Sequence, residues 1–208
     1  MTRSRLRGLY AITDEQLIPE STFTETIEQA LRGGTSIIQY RDKSTDQAKR
    51  LQQASLLRVL CSDYAAILII NDDIKLAKAV AADGVHLGED DASIEQARST
   101  LGEDAIIGIS CYNQLQRAKA AEVAGADYVA FGAIFSSPTK PAARSANCTL
   151  ITDAKSQLKI PICAIGGIDR TNAACVVDAG ADMTALISGL FCTADIGVTA
   201  EYIAGLFE

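Results

Sequence analysis

Short apolar runs alternate with longer amphipathic stretches along the whole chain. The runs read as strands at Gly8–Thr13, Ser36–Arg41, Ala66–Asn71, Gly84–Leu87, Ile106–Ser110, Tyr128–Gly132, Ile162–Ile165 and Met183–Ser188, since brief apolar segments bounded by turn residues fit buried strands. Between them, near residues 22–32, 45–61, 73–81, 93–101, 113–124, 147–157, 170–179 and 197–207, the apolar positions follow helical spacing. Ser44 and Thr45, Asn71 and Asp72, Asp91, Asn113 and Asp169 stand where helix starts need side-chain acceptors. Gly33–Gly34, Gly102, Gly125 and Gly180 stand where helices end. "ALRGGTSIIQY", "AEVAGADYVAF" and "VVDAGADMTAL" each read as helix, glycine cap, turn and strand.

Strict alternation of strand and helix implies a parallel sheet. A (β/α)8 TIM barrel of the α/β class fits best, and 208 residues sit at the small end of its range of roughly 200 and up. A doubly wound sheet is the runner-up. No Pro- or Ser-rich linker divides the chain, so residues 1–208 are expected to form one domain.

A barrel also says where to look, because its active site forms at the C-terminal strand ends. Those ends carry Thr13 and Asp14; Gln39, Arg41 and Lys43; Asn71 and Asp72; His86, Glu89 and Asp91; Ser110; Ser136 to Lys140; Gly166 and Gly167; and Ser188. The strand starts read as bland. In "IIQYRDK" Gln39, Arg41 and Lys43 share one parity, and residues two apart in a strand point to the same side. Ile37 is expected on the barrel floor with Gln39 and Arg41 above it. Buried cations need partners, so these residues await either an anionic ligand or ion pairs with Asp42 or Asp72.

Composition narrows the ligand. A net charge of −7 argues against nucleic acid, which requires a basic footprint. The longest apolar run, Ala65–Ile70, is too short to span a bilayer, and no apolar region follows Arg3, Arg5 and Arg7 as a signal peptide would require. Six cysteines without a CxxC pair, beside a single histidine, point to reduced thiols in the cytoplasm rather than to zinc. Asp72 and Asp91 follow strands three and four. They suit Mg²⁺, which takes one or two carboxylates with water and substrate phosphates, and equally suit helix caps. "AIGGI" (164–168) and "LISGL" (186–190) lie where barrel loops seven and eight commonly hold a phosphate. "IFSSPTKPAARS" (134–145) is the longest polar loop, a candidate lid.

With these stretches assembled, the chain resembles the thiamine-phosphate synthase family over nearly its whole length. The resemblance is carried by "YAITD" (10–14), "QYRDK" (39–43), "NDDIKLA" (71–77), "ADGVHLGEDD" (82–91), "GIS" (108–110), "GADYVAFGAIFSSPTKP" (125–141), "PICAIGGI" (161–168) and "GAD" with "LIS" (180–188). It implies a Mg²⁺-dependent transferase that joins hydroxymethylpyrimidine diphosphate to a thiazole phosphate and releases pyrophosphate. By position it implies Gln39, Arg41, Lys43 and Lys140 on the diphosphate, with Tyr40 and Asp42 in the same binding segment. It further implies Asn71 and Ser110 on the pyrimidine, Ser137, Pro138 and Thr139 near the thiazole, and Gly167, Ile187 and Ser188 on its phosphate. Asp72 and Asp91 are the implied metal ligands, and Arg41, Lys43, Ser110 and Lys140 the implied catalytic groups. Two positions depart from the family's pattern: Glu89 stands where Gln is common, and Ser137 where Thr is. The partners implied are small molecules, and the sequence leaves homo-oligomerisation open. A thiazole tautomerase and a non-catalytic thiamine-phosphate binder are the competing readings. Neither needs Asp72 and Asp91 together with the cations.

Overall fold

The computed structural model describes residues 5–135 and 146–208. Strands β1 (Gly8–Ile12), β2 (Ile37–Tyr40), β3 (Ile67–Asn71), β4 (Gly84–Leu87), β5 (Ile106–Tyr112), β6 (Tyr128–Phe131), β7 (Ile162–Ile165) and β8 (Met183–Leu186) pair in parallel, in chain order. β8 returns to β1 through Gly8 opposite Met183, closing a (β/α)8 barrel. Around it run α1 (Phe23–Arg32), α2 (Gln47–Asp63), α3 (Ile74–Ala79), α4 (Ile94–Leu101), α5 (Leu115–Val123), α6 (Cys148–Lys155), α7 (Ala173–Asp178), α8 (Ser188–Phe191) and α9 (Ile196–Gly205). The alternation in the sequence therefore maps onto the barrel. The short α8 and a 3-10 turn at Glu20–Thr22 carry no apolar period of their own.

Parity divides the buried side chains into two sets. Tyr10, Ile12, Ile37, Ile67, Ile69, Ile106, Tyr128, Ala130, Cys163, Met183 and Ala185 fill the barrel interior. Their outward neighbours, among them Leu9, Ile38, Leu68, Val85, Val129 and Leu186, pack against the helices. Tyr128 fits inside because its neighbour on β5 is Gly108, where an added Cβ would lie 2.0 Å from the tyrosine ring.

The strand starts are not bland. Asp83, Asp127 and Asp182, just ahead of β4, β6 and β8, each accept a backbone N–H from the preceding strand: Leu68 at 2.7 Å, Ile107 at 2.8 Å and Ile162 at 2.9 Å. Each also pairs with a cation from an outer helix: Arg58 at 2.7 Å, Arg98 at 2.5 Å and Lys155 at 2.5 Å. A carboxylate held by one N–H and one cation bolts helix, strand and next strand together. The echo in "GADY" and "GADM" is this bracket, repeated.

Candidate active site

Gln39 and Arg41 face the barrel axis and its mouth. Gln39 is buried, and its amide donates to the Tyr10 hydroxyl at 2.7 Å. The Thr13 hydroxyl accepts from the Arg41 N–H at 2.8 Å and donates to the Arg41 carbonyl at 3.1 Å, fixing the chain where β2 ends. Arg41 reaches Asp14 at 3.2 Å and Lys43 reaches Asp72 at 2.9 Å. Of the ion pairs considered from sequence, Lys43 with Asp72 forms, while the partner of Arg41 is Asp14. Tyr40 and Asp42 turn to the helical layer instead. The Tyr40 hydroxyl donates to Gln53 on α2 at 3.0 Å, and Asp42 pairs with Lys49 at 2.9 Å.

Asp72 and Asp91, after β3 and β4, are not the helix caps. α3 is capped by Asp73, which accepts from the Leu76 N–H, and α4 by Ser93 in a capping box with Gln96. Asp72 is a non-glycine residue at φ 62° whose own N–H bonds the His86 carbonyl at 2.9 Å, a backbone setting that aspartate tolerates better than most residues. Its Oδ2 also accepts from the Asn71 amide at 2.6 Å. Asp91 accepts the Gly88 N–H at 2.7 Å. Burial pushes the Asp91 carboxyl above its ordinary range and the neighbouring Asp72 adds to this, while the Gly88 N–H and Lys43 act against it. Two carboxylates crowded together with both helices capped by other residues form a set that fits a divalent cation. Glu89 directs its charge to Arg117, 3.6 Å away.

Beneath the mouth a hydrogen-bonded chain crosses the barrel. It runs from Gln39 to Tyr10, from Tyr10 to Tyr128 at 2.8 Å, from Tyr128 to His86 Nδ1 at 2.9 Å, and from His86 Nε2 to Ser110 at 2.9 Å. Burial lowers the His86 pKa to about 4, so the ring is neutral and has one N–H. Burial also raises both tyrosines well above the usual phenol range. With Gln39 donating, every hydrogen finds an acceptor only if Tyr10 donates to Tyr128, Tyr128 to Nδ1, and Nε2–H to Ser110. The Ser110 hydroxyl hydrogen is thereby left for a partner outside the chain of bonds. Tyr10 and Tyr128 were readable as inward-facing tyrosines, whose hydroxyls need partners when buried, but only closure of the barrel reveals which partners.

The turns after β7 and β8 adjoin. Gly166 and Gly167 take φ of 101° and 64°, and Asn172 holds the Gly167 carbonyl at 2.9 Å. A Cβ on Gly189 would lie 2.1 Å from the Ile168 carbonyl, so the segment of Ile187 and Ser188 rests against the Gly167 turn. Ser137, Pro138, Thr139 and Lys140, with residues 136–145 of the expected lid, lie outside the described residues. The stem of that loop is pinned by the Ile134 N–H to Ile165, the Phe135 N–H to Gly166 and the Ala146 N–H to Ala133.

A closed (β/α)8 barrel that gathers arginine, lysine and two crowded aspartates at its C-terminal strand ends has the form of an enzyme with its active site at the barrel mouth. Residues 9–190 match the family model described as thiamine monophosphate synthase. The thiamine-phosphate synthase of Thioalkalivibrio sulfidiphilus is 50% identical over 207 residues, covering 100% of this chain and 98% of that protein. Its counterpart in Nitrosococcus oceani is 53% identical, over 95% of this chain and 91% of its own. The solved structure of thiamine phosphate pyrophosphorylase from Pyrococcus furiosus superposes with a TM-score of 0.89 at 36% identity, covering 100% of this chain and 98% of that one. The chain belongs to the thiamine monophosphate synthase family. Its activity is thiamine-phosphate synthesis, which makes it a transferase. No helix among the described residues is long and apolar enough to cross a membrane.

Proposed function

We propose that the enzyme couples hydroxymethylpyrimidine diphosphate to a thiazole phosphate with the help of Mg²⁺, releasing pyrophosphate and thiamine phosphate. The observation that carries this reading is the pair Asp72 and Asp91. Both are spared from capping, and Asp72 is held by Lys43 and Asn71. These two aspartates would hold the metal, which when bound offsets negative charge on the departing diphosphate.

Gln39, Arg41 and Lys43, joined by Lys140, receive the diphosphate. Arg41 contributes a planar fork that matches phosphate oxygens. The carbon–oxygen bond to the diphosphate breaks as the pyrimidine amino group supports positive charge on the methylene. The thiazole nitrogen then adds through the lone pair it already carries, and the product is a thiazolium. No proton need leave the nucleophile, so no strong base is required. A neutral His86 fits that chemistry, serving to orient Ser110 so that its hydroxyl donates toward the pyrimidine beside Asn71. Ser137, Pro138 and Thr139 flank the thiazole, and the turns at Gly167 and Ile187–Ser188 receive its phosphate. Catalysis is then alignment and leaving-group stabilisation. Tyr40 and Asp42 hold β2 to α2 rather than touching substrate. The substrates are small soluble phosphates, and the enzyme works in the cytoplasm.

The test mixes both substrates with Mg²⁺ and follows pyrophosphate and thiamine phosphate. Both products should appear only with both substrates, and should stop with EDTA. Isomerisation of the thiazole without coupling would replace this reading with a tautomerase.

A further inference from the structure

Helices α6 and α7 are neighbours in the outer layer, and each begins with a cysteine in its first turn. Cys148 and Cys175 are 27 residues apart in sequence, and their sulfur atoms lie 2.7 Å apart. Both are free thiols; Cys175 is exposed and Cys148 half-buried. Cys61, Cys111 and Cys163 are buried, and Cys192 is exposed. The approach of the two sulfurs is supported by backbone anchors further along the same helices. The Thr152 hydroxyl lies 3.5 Å from the Cys148 carbonyl and 3.3 Å from that of Ala179. Lys155 packs its stem over Gly180, where a Cβ would sit 3.2 Å from the lysine Cγ. The helices themselves, rather than one rotamer, bring the thiols together.

We propose that Cys148 and Cys175 form a site of reversible oxidation, closing to an intramolecular disulfide that joins the first turns of α6 and α7. Reaching the disulfide separation of about 2.05 Å needs a movement of only about 0.7 Å. The oxidant is a hydroperoxide. Cys175, the more exposed sulfur, attacks the peroxide oxygen and becomes a sulfenic acid, releasing one water. Cys148 then attacks the Cys175 sulfur, the S–S bond forms, the S–O bond breaks, and its oxygen leaves as a second water. Two thiols and one peroxide thus give one disulfide and two waters, and a dithiol reverses the exchange. Burial and the contact with Cys175 raise the Cys148 pKa to about 11, which keeps it protonated and leaves the first step to Cys175. α6 is entered from the loop after β6 and α7 from the Gly166–Gly167 turn, so the bond ties the exits of both loops. Its effect on turnover rests on the substrate assignments proposed above, whereas formation of the bond does not.

The experiment treats the intact protein with hydrogen peroxide, blocks free thiols and maps unreduced peptides by mass spectrometry. The expected result is a Cys148–Cys175 crosslinked pair, four of the six thiols still blocked after denaturation, and all six recovered after dithiothreitol. In Cys148→Ser the Cys175 sulfenic acid should instead be trapped by dimedone. Survival of all six thiols, pairing of Cys175 with Cys192, or bonds between chains would overturn the proposal. Reversible loss of turnover in the wild type and none in Cys148→Ser is the expected kinetic result. Equal loss in both would trace to oxidation elsewhere and reject the clamp.

Discussion

The two rims of the barrel both set aspartates beside cations, but the partners differ in kind. At the strand starts Asp83, Asp127 and Asp182 each take a cation and also a strand N–H, so charge and lone pairs are matched locally. At the mouth Asp72 receives Lys43 and Asn71 on one oxygen while facing Asp91, whose carboxyl is driven upward. Arg41 pairs with Asp14, whose other oxygen accepts the Gln16 N–H at 3.0 Å, a bond within its own turn and not to a neighbouring strand. The first arrangement is complete without a ligand. The second leaves carboxylates crowded and cations held only by other side chains, which suits groups that must exchange partners when substrate and metal arrive.

If that contrast is real, changes at the two rims should move different observables. Arg41→Met should lower turnover on the order of 10²–10³-fold, the scale of a lost transition-state donor. Arg41→Lys should lose less, since it keeps the charge without the fork. Relief of repulsion between cations is not expected to raise the melting temperature of the Met variant, because it strips Asp14 of its partner; a small decrease is expected. Full activity with a sharply lower melting temperature would assign Arg41 to structure. Asp127→Ala should do the reverse. Breaking a buried pair costs about 3–5 kcal/mol, or roughly 10 °C in melting temperature at this size, with turnover of the folded fraction unchanged. A kinetic defect without destabilisation would erase the distinction between the rims.

Asp72→Asn and Asp91→Asn sharpen it further. Each should raise the Mg²⁺ needed for half-maximal rate roughly tenfold or more, since affinity follows ligand charge, with little change in melting temperature because Asp73 and Ser93 cap the helices. An unaltered Mg²⁺ requirement in both would remove them from the metal site.

Smallest near neutral pH is the effect expected between the rims, at His86. Its folded pKa of about 4 is below the ordinary 6.5, so between these values the unfolded chain binds the extra proton. Stability from this residue is complete above pH 6.5 and is lost as pH falls toward 4, by about 3 kcal/mol in all. His86→Gln should flatten that part of the pH–stability curve measured by urea denaturation. A parallel displacement of the whole curve would show that His86 does not titrate in this window.

Much of this was legible because local rules and tertiary demands agree. The strand at Gly84–Leu87 and that at Ile162–Ile165 match their predicted bounds, since an apolar run between turn residues has few alternatives. The parity of "IIQYRDK" placed Ile37 inside and Gln39 and Arg41 above it, as found. Caps were less legible. Asp46, Asp73 and Ser93, one or two residues beyond the positions favoured from sequence, make the bonds, because several acceptors in a row compete and the loop path selects one. That slip matters most at Asp72 and Asp91: with the caps made by Asp73 and Ser93 the capping reading is removed, while the metal reading stays the proposal made above.

What the sequence determined by itself was periodic: which stretches are strand or helix, that the strands run parallel, and which strand residues face the barrel axis. These follow from side-chain direction, which repeats every two or 3.6 residues whatever lies across from it. Only the tertiary structure decided the pairings between residues far apart in the chain. It gave Asp14 to Arg41, and turned Tyr40 and Asp42 onto α2. It strung Tyr10, Tyr128, His86 and Ser110 into one line, and set Cys148 against Cys175. Such contacts depend on barrel closure and on helix packing around it, and neither leaves a local mark on the residues concerned.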